Sequence, residues 1–128
     1  MGIIMLSIKL RKNFRAILRD ALIDANDKEF ASFGIDCAKI VHEKRKGEHF
    51  VDRFLERYSH DEESFKKVIK AFIGMIRVRR NFYLSVKDER EFKYNYFNHV
   101  IYFIVRRGGR CPNDENGYNV TIALKTII

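Results

Sequence analysis

The sequence predicts an α+β protein in which about four N-terminal helices pack on a C-terminal antiparallel meander of about three strands. Three observations lead there. Apolar residues recur at three- and four-residue steps from Leu10 to Ile76, the period of a helix face. After residue 81 the pattern changes to alternation and to strand-favouring side chains. The chain has 128 residues, 46% of them hydrophobic, with 11 Phe and 6 Tyr, which suffices for a core and argues against disorder.

Each element has its own signal. Leu10, Phe14, Ile17, Leu18, Ala21, Leu22 and Ala25 share one helical face. Asn26 with Glu29 forms a capping pair that restarts a helix, in which Phe30, Phe33, Cys37, Ile40 and Val41 share a face and Gly47 is placed to end it. Phe50, Val51, Phe54, Leu55 and Tyr58 make a short third stripe. Ser59 with Glu62 reads as a capping box for a fourth helix, faced by Phe65, Val68, Ile69, Phe72, Ile73 and Ile76.

Phe82, Leu84 and Val86 then alternate with Tyr83 and Ser85, as a half-buried strand requires. Residues 92–107 contain no Ala, Leu, Glu or Met and suit a second strand, folded back about Asp88–Glu91. A competing helix would be capped by Asp88 and Glu91, lined by Tyr96, Phe97, Val100, Ile101 and Ile104, and closed by Gly108. Gly108–Gly117 is dense in turn formers, and Tyr118, Val120, Ile122 and Leu124 alternate as a last strand. No repeat or linker divides the chain, so one domain over residues 1–128 is expected.

Charge carries the functional reading. The formal net charge is +8, and its distribution is uneven. Residues 77–110 hold nine Lys/Arg against three Asp/Glu, whereas residues 1–76 hold fifteen against twelve. Arg77, Arg79 and Arg80 precede the first expected strand, and Arg106, Arg107 and Arg110 end the second. A hairpin of those strands would gather six guanidinium groups at one end of the sheet. Arginine suits phosphate because its planar fork donates paired hydrogen bonds and stays charged. Tyr94 and Tyr96 would supply faces on which unpaired bases stack. The expected function is therefore a small nucleic-acid-binding module, RNA or single-stranded DNA ahead of duplex. Ordinary solvated sheet-end arginines and core tyrosines are the plainer alternative.

A second reading is a protein-interaction module with an acidic partner drawn by the same arginines. The abundance of Ile, Phe, Tyr, Lys and Asn, common in AT-rich genomes, extends it to a phage-type inhibitor of a host protein. Lys44-Arg45-Lys46, with His42 and His49, reads as cations at a helix C-terminus, offsetting the dipole.

Arg53 and His60, seven apart, allow a third reading. Their spacing resembles the active-site motif of HEPN-type ribonucleases, which implies that the pair binds the scissile phosphate and moves a proton. Phe54 departs from that motif, where a polar residue is usual. His99 is the other candidate for such a metal-independent ribonuclease, though it reads first as a sheet residue. No Cys-x-x-Cys, His-Glu-x-x-His or phosphate-loop pattern occurs, so no metal or cofactor is expected. Two cysteines, Cys37 and Cys111, and no apolar stretch near ~20 residues point to a cytoplasmic protein without a membrane segment.

Overall fold

A computed structural model of the protein describes residues 2–26, 38–42, 46–58, 60–110 and 118–128. It is an α+β arrangement. Helices α1 (Gly2–Asp24), α2 (Lys46–Arg57), α3 (Glu62–Val78) and α4 (Arg80–Leu84) pack against one face of a sheet. The C-terminal strands β2 (Arg90–Tyr96), β3 (His99–Arg110) and β4 (Tyr118–Ile127) form an antiparallel meander. A further strand, β1 (Ala38–His42), pairs in parallel with β4, so the sheet order is β1-β4-β3-β2. No helix among the described residues is long and apolar enough to cross a membrane.

Three helical stripes stand where periodicity puts them. Phe14, Leu18, Leu22 and Ala25 of α1 and its final turn are buried, with Leu10, Ile17 and Ala21 packed beside them. Phe50, Val51 and Phe54 of α2 are wholly buried. Phe65, Val68, Ile69, Phe72 and Ile76 of α3 are buried as well. Phe65 joins the three helices. Its ring stacks on Phe14 at 4.7 Å, meets Phe54 edge-on at 4.9 Å and lies 6.3 Å from Phe50.

Several expected boundaries move. Residues 38–42 are strand rather than helix, because Ile40 and Val41 complete the ladder beside β4. The rest of the second expected helix, with its cap at Asn26–Glu29, falls largely outside the described residues. Gly47 lies in the first turn of α2 rather than ending a helix, so Lys46 begins one. Lys44 and Arg45 lie outside the described residues. The cap of α3 is Asp61, not Ser59. One Asp61 carboxylate oxygen accepts from the Ser64 hydroxyl at 2.8 Å and the Ser64 backbone N–H at 3.1 Å.

Residues 80–84 form a helical turn, not a strand. Arg79 donates its backbone N–H to the Met75 carbonyl, closing α3 and opening α4 on the same residue. Tyr83 and Val86, three apart, point into the core, whereas alternation put Phe82, Leu84 and Val86 together. Asp88–Glu91 is no hairpin turn; β2 begins at Arg90. The hairpin closes instead at Phe97–Asn98, within the segment expected to be one strand. Its register sets Phe92 opposite Phe103 and Tyr94 opposite Ile101, which rules out the competing helix.

Along β3, Ile101, Phe103 and Val105 face the helices beside Ile127, Leu124 and Ile122 of β4. Phe103 is the sheet's counterpart to Phe65, touching Phe72 at 5.1 Å, Tyr83 at 5.5 Å and Phe92 at 5.7 Å. Two irregularities adjust the β3–β4 ladder. One falls at Lys125 and returns Ile127 to the core side; the other spans Gly108–Gly109, so β3 reaches Arg110 opposite Tyr118.

Phe65→Ala is expected to cost about 3–5 kcal/mol in chemical denaturation, since it removes the ring shared by three helices. Phe82→Ala, at a half-exposed ring, is expected to cost much less in the same assay. The Ser64 hydroxyl, then the Ser64 backbone N–H, hold the Asp61 pKa below the usual carboxylate value. A depressed folded pKa means stability present above the unfolded value and lost as pH falls through the folded one. Asp61→Asn, which keeps a capping oxygen, is expected to flatten the acid limb of the Tm-against-pH curve; an unchanged limb would remove Asp61 from acid unfolding.

Candidate nucleic-acid interface

The register fixes which sheet end carries the basic residues. β2 starts, β3 finishes and β4 starts at that end, with Arg90 opposite Val105 and Arg107 opposite Val120. α3 runs toward it, since Phe65 sits among α1 and α2 while Phe72 lies on Phe103 and Met75 meets Tyr83. α4 and residues 85–89 then lead into β2.

The expected arginines divide. Arg79 lays its guanidinium over the Phe82 ring, 4.8 Å from the centroid, and 5.6 Å from that of Tyr83. Phe82 is 45% exposed and borders a cavity of about 280 Å³ with Ser85, Val86, Lys87, Asp88 and Arg90. Arg106 lies on the sheet face away from the helices and pairs with Glu89, directly before Arg90. Arg79, Phe82, Lys87 and Arg90 thus adjoin one cavity, and Glu89 links this rim to Arg106 on the other face of the sheet. Arg107 points the other way from Arg106 and is half-buried, as is Arg80 at the start of α4. Arg110 ends β3 by backbone pairing with Tyr118; its side chain lies outside the described residues. Arg77 belongs elsewhere, in a groove between α1 and α3.

Tyr94 and Tyr96 are on the helix side of edge strand β2, not on the open face of the sheet. Both are half-buried. Tyr94 lies 6.5 Å from Phe72 and stacks on Tyr96 at 6.4 Å. Tyr83 is core: its hydroxyl donates to Met75 Sδ at 3.3 Å, and burial raises its pKa against the opposing pull of Arg79.

The hydrolytic candidates are held by other contacts. Arg53 donates to Glu56 at 2.7 Å and to His49 Nε2 at 3.3 Å, while His60 Nε2 lies 3.2 Å from the Leu55 carbonyl oxygen. His99 packs on Tyr58 at 3.9 Å and lies nearly parallel to Phe54 at 5.9 Å. Among the described residues, no three His, Cys, Asp or Glu side chains gather as a metal ion would require.

Phe82, Lys87 and Arg90 are site residues the sequence reading missed. Alternation over residues 82–86 places Phe82 on the buried side of a strand. Lys87-Asp88-Glu89-Arg90 sums to zero charge and reads as a turn, although Glu89 turns away to Arg106. Continuing the helical period of α3 from Ile76 by steps of four, three and three would have buried Tyr83 and Val86 and freed Phe82. Comparison with protein-family models, with curated proteins and with solved structures finds no match to this chain.

One further residue stands out at the opposite end. Phe97, at the hairpin tip, has φ 52° and is 87% exposed. A bulky side chain in the left-handed region is strained by about 1–2 kcal/mol. Phe97→Gly is expected to raise stability by about 1 kcal/mol in thermal or chemical unfolding, because glycine adopts that φ without a Cβ clash. A loss would show that the 4.8 Å contact with Tyr96 outweighs the strain.

Proposed function

We propose that the protein is a non-enzymatic module that binds single-stranded nucleic acid, RNA or DNA, along the basic sheet end. The observation that carries this reading is the half-exposed Phe82 ring beneath Arg79, bordering the same cavity as Lys87 and Arg90. A half-exposed ring capped by a guanidinium, with two further cations on the same cavity, offers a base planar groups to stack on and its phosphates a charge to meet. Arg79 adds a second planar surface through its guanidinium. Arg106, at the end of the same sheet, adds a further cation for phosphate. The stacking role proposed here belongs to Phe82 rather than to Tyr94 or Tyr96.

The Arg106–Glu89 pair does not oppose this reading. It is a surface pair, of a kind contributing about 0–1 kcal/mol, and phosphate can compete for the guanidinium.

Fluorescence anisotropy with labelled single-stranded oligonucleotides checks the proposal. Affinity is expected to fall as salt rises, by about 0.7 log units per log unit of salt for each phosphate neutralised. Arg79→Glu with Arg90→Glu is expected to abolish binding. Phe82→Ala is expected to weaken it by about 1–3 kcal/mol without changing the salt slope, because stacking releases no counterions. Absence of binding to any oligonucleotide at low salt would end the proposal, and stronger binding to duplex would end its preference for single strands.

A further inference from the structure

α1 and α3 lie side by side and run in the same direction. Phe14 stacks on Phe65, and Ala25 and Arg77 line the same cavity beyond that contact. In an antiparallel pair those two residues would lie at opposite ends. The groove between the helices has a volume of about 320 Å³. Its apolar lining is Ile17, Ala21, Ala25, Ile69, Ile73 and Gly74, and Lys66, Lys70 and Arg77 of α3 stand along it, against Asp24 as the one acid. From Lys66 to Arg77 the α3 wall runs about 16 Å, three helical turns at about 1.5 Å per residue. At the far end two large apolar side chains face solvent, Ile23 at 53% and Val78 at 80% exposure.

Gly74 is the second observation. It lies inside α3, where glycine weakens a helix relative to alanine. Neither backbone nor packing calls for it: its φ is not positive, and an added Cβ would meet nothing within 4 Å. The space that a Cβ would enter is the groove. A glycine that costs the free protein stability, yet leaves a groove wall bare, is accounted for by close approach of something seated there.

We infer that this groove docks an amphipathic helix of an acidic protein partner. Ile17, Ala21 and Ile73, each partly exposed, offer contacts to leucine-like side chains at positions i, i+3, i+4 and i+7, a common mode of helix recognition. Lys66, Lys70 and Arg77 match Asp and Glu flanking that stripe. Lys70 makes no ion pair among the described residues, and Lys66 holds Glu63 only at 3.5 Å on the surface, so both can turn to a partner. Nucleic acid fits this groove less well: its cations could meet phosphate, but its floor is aliphatic and offers no aromatic ring on which a base could stack. The site is separate from Phe82 and Arg90 and does not depend on the nucleic-acid proposal.

The probe is a labelled helical peptide of about 15 residues, leucines at the positions above and glutamates elsewhere, with a lysine-for-glutamate peptide as its control. The glutamate peptide is expected to bind the full-length protein at least tenfold more tightly than the lysine peptide. Lys66→Glu with Lys70→Glu is expected to reverse that order. Gly74→Ala is expected to weaken peptide binding while leaving Tm unchanged or raised, which separates occlusion of the groove from misfolding. Phe82→Ala is expected to leave peptide binding intact. Equal binding of the two peptides, or wild-type binding by Gly74→Ala, would overturn the inference. Displacement of the peptide by a single-stranded oligonucleotide would reassign the groove to nucleic acid. Self-association of the free protein that Gly74→Ala abolishes would reassign it to a second copy.

Discussion

One face of the sheet is apolar along nearly every strand, and covering it organises the molecule. Ile101, Phe103, Val105, Val120, Ile122, Leu124 and Ile127 all join one buried cluster with the helices. Two rings do most of the joining. Phe103 gathers α3, α4 and β2, and Phe65 gathers α1 and α2 onto α3. Aromatic pairs at these distances contribute about 0.5–1.5 kcal/mol each beyond the area they bury. α3 carries the ring that anchors one set and touches the ring that anchors the other. It is therefore the element through which the layers communicate.

That constraint also sorts the charges. With the helix side of the sheet closed, the cations that flank it are displaced to rims and open surfaces. Arg106 lies on the face away from the helices, where Lys125 also reaches across β3 to Glu91 at 2.5 Å. Arg79 covers an aromatic ring at the edge of the core instead of entering it. Lys66, Lys70 and Arg77 occupy the outward side of α3, whose inward side is wholly apolar. Two basic surfaces result, one at a sheet end and one along a helix groove. Their chemistry differs: the first combines cations with a half-open aromatic ring, the second combines cations with an aliphatic floor.

Much of the layout was legible in order. The stripes of α1, α2 and α3 each bury the residues their spacing selects, because a helix repeats its face every three to four residues whatever it packs against. The last strand, with Val120, Ile122 and Leu124 on one side, was equally plain. Less of the candidate site was. Arg79 lies on Phe82 and Arg106 on Glu89, and no hairpin joins the segments that carry them. Phe97 sits where a tight turn usually shows glycine, so nothing in the local residues announced that the chain reverses there.

The sequence by itself determined the α+β class, the helical faces and the excess of positive charge over residues 77–110. All three follow from local period and composition, which do not require knowing what lies opposite. Tertiary structure alone decided that residues 80–84 are a helical turn, since Tyr83 had to reach Phe92 and Phe103. It alone added β1 beside β4, a pairing between segments about eighty residues apart. The direction in which each arginine points was settled the same way, by a strand register in which one residue's shift exchanges the two faces. Charge was therefore readable as an amount along the chain, and became a place only once the core had been closed.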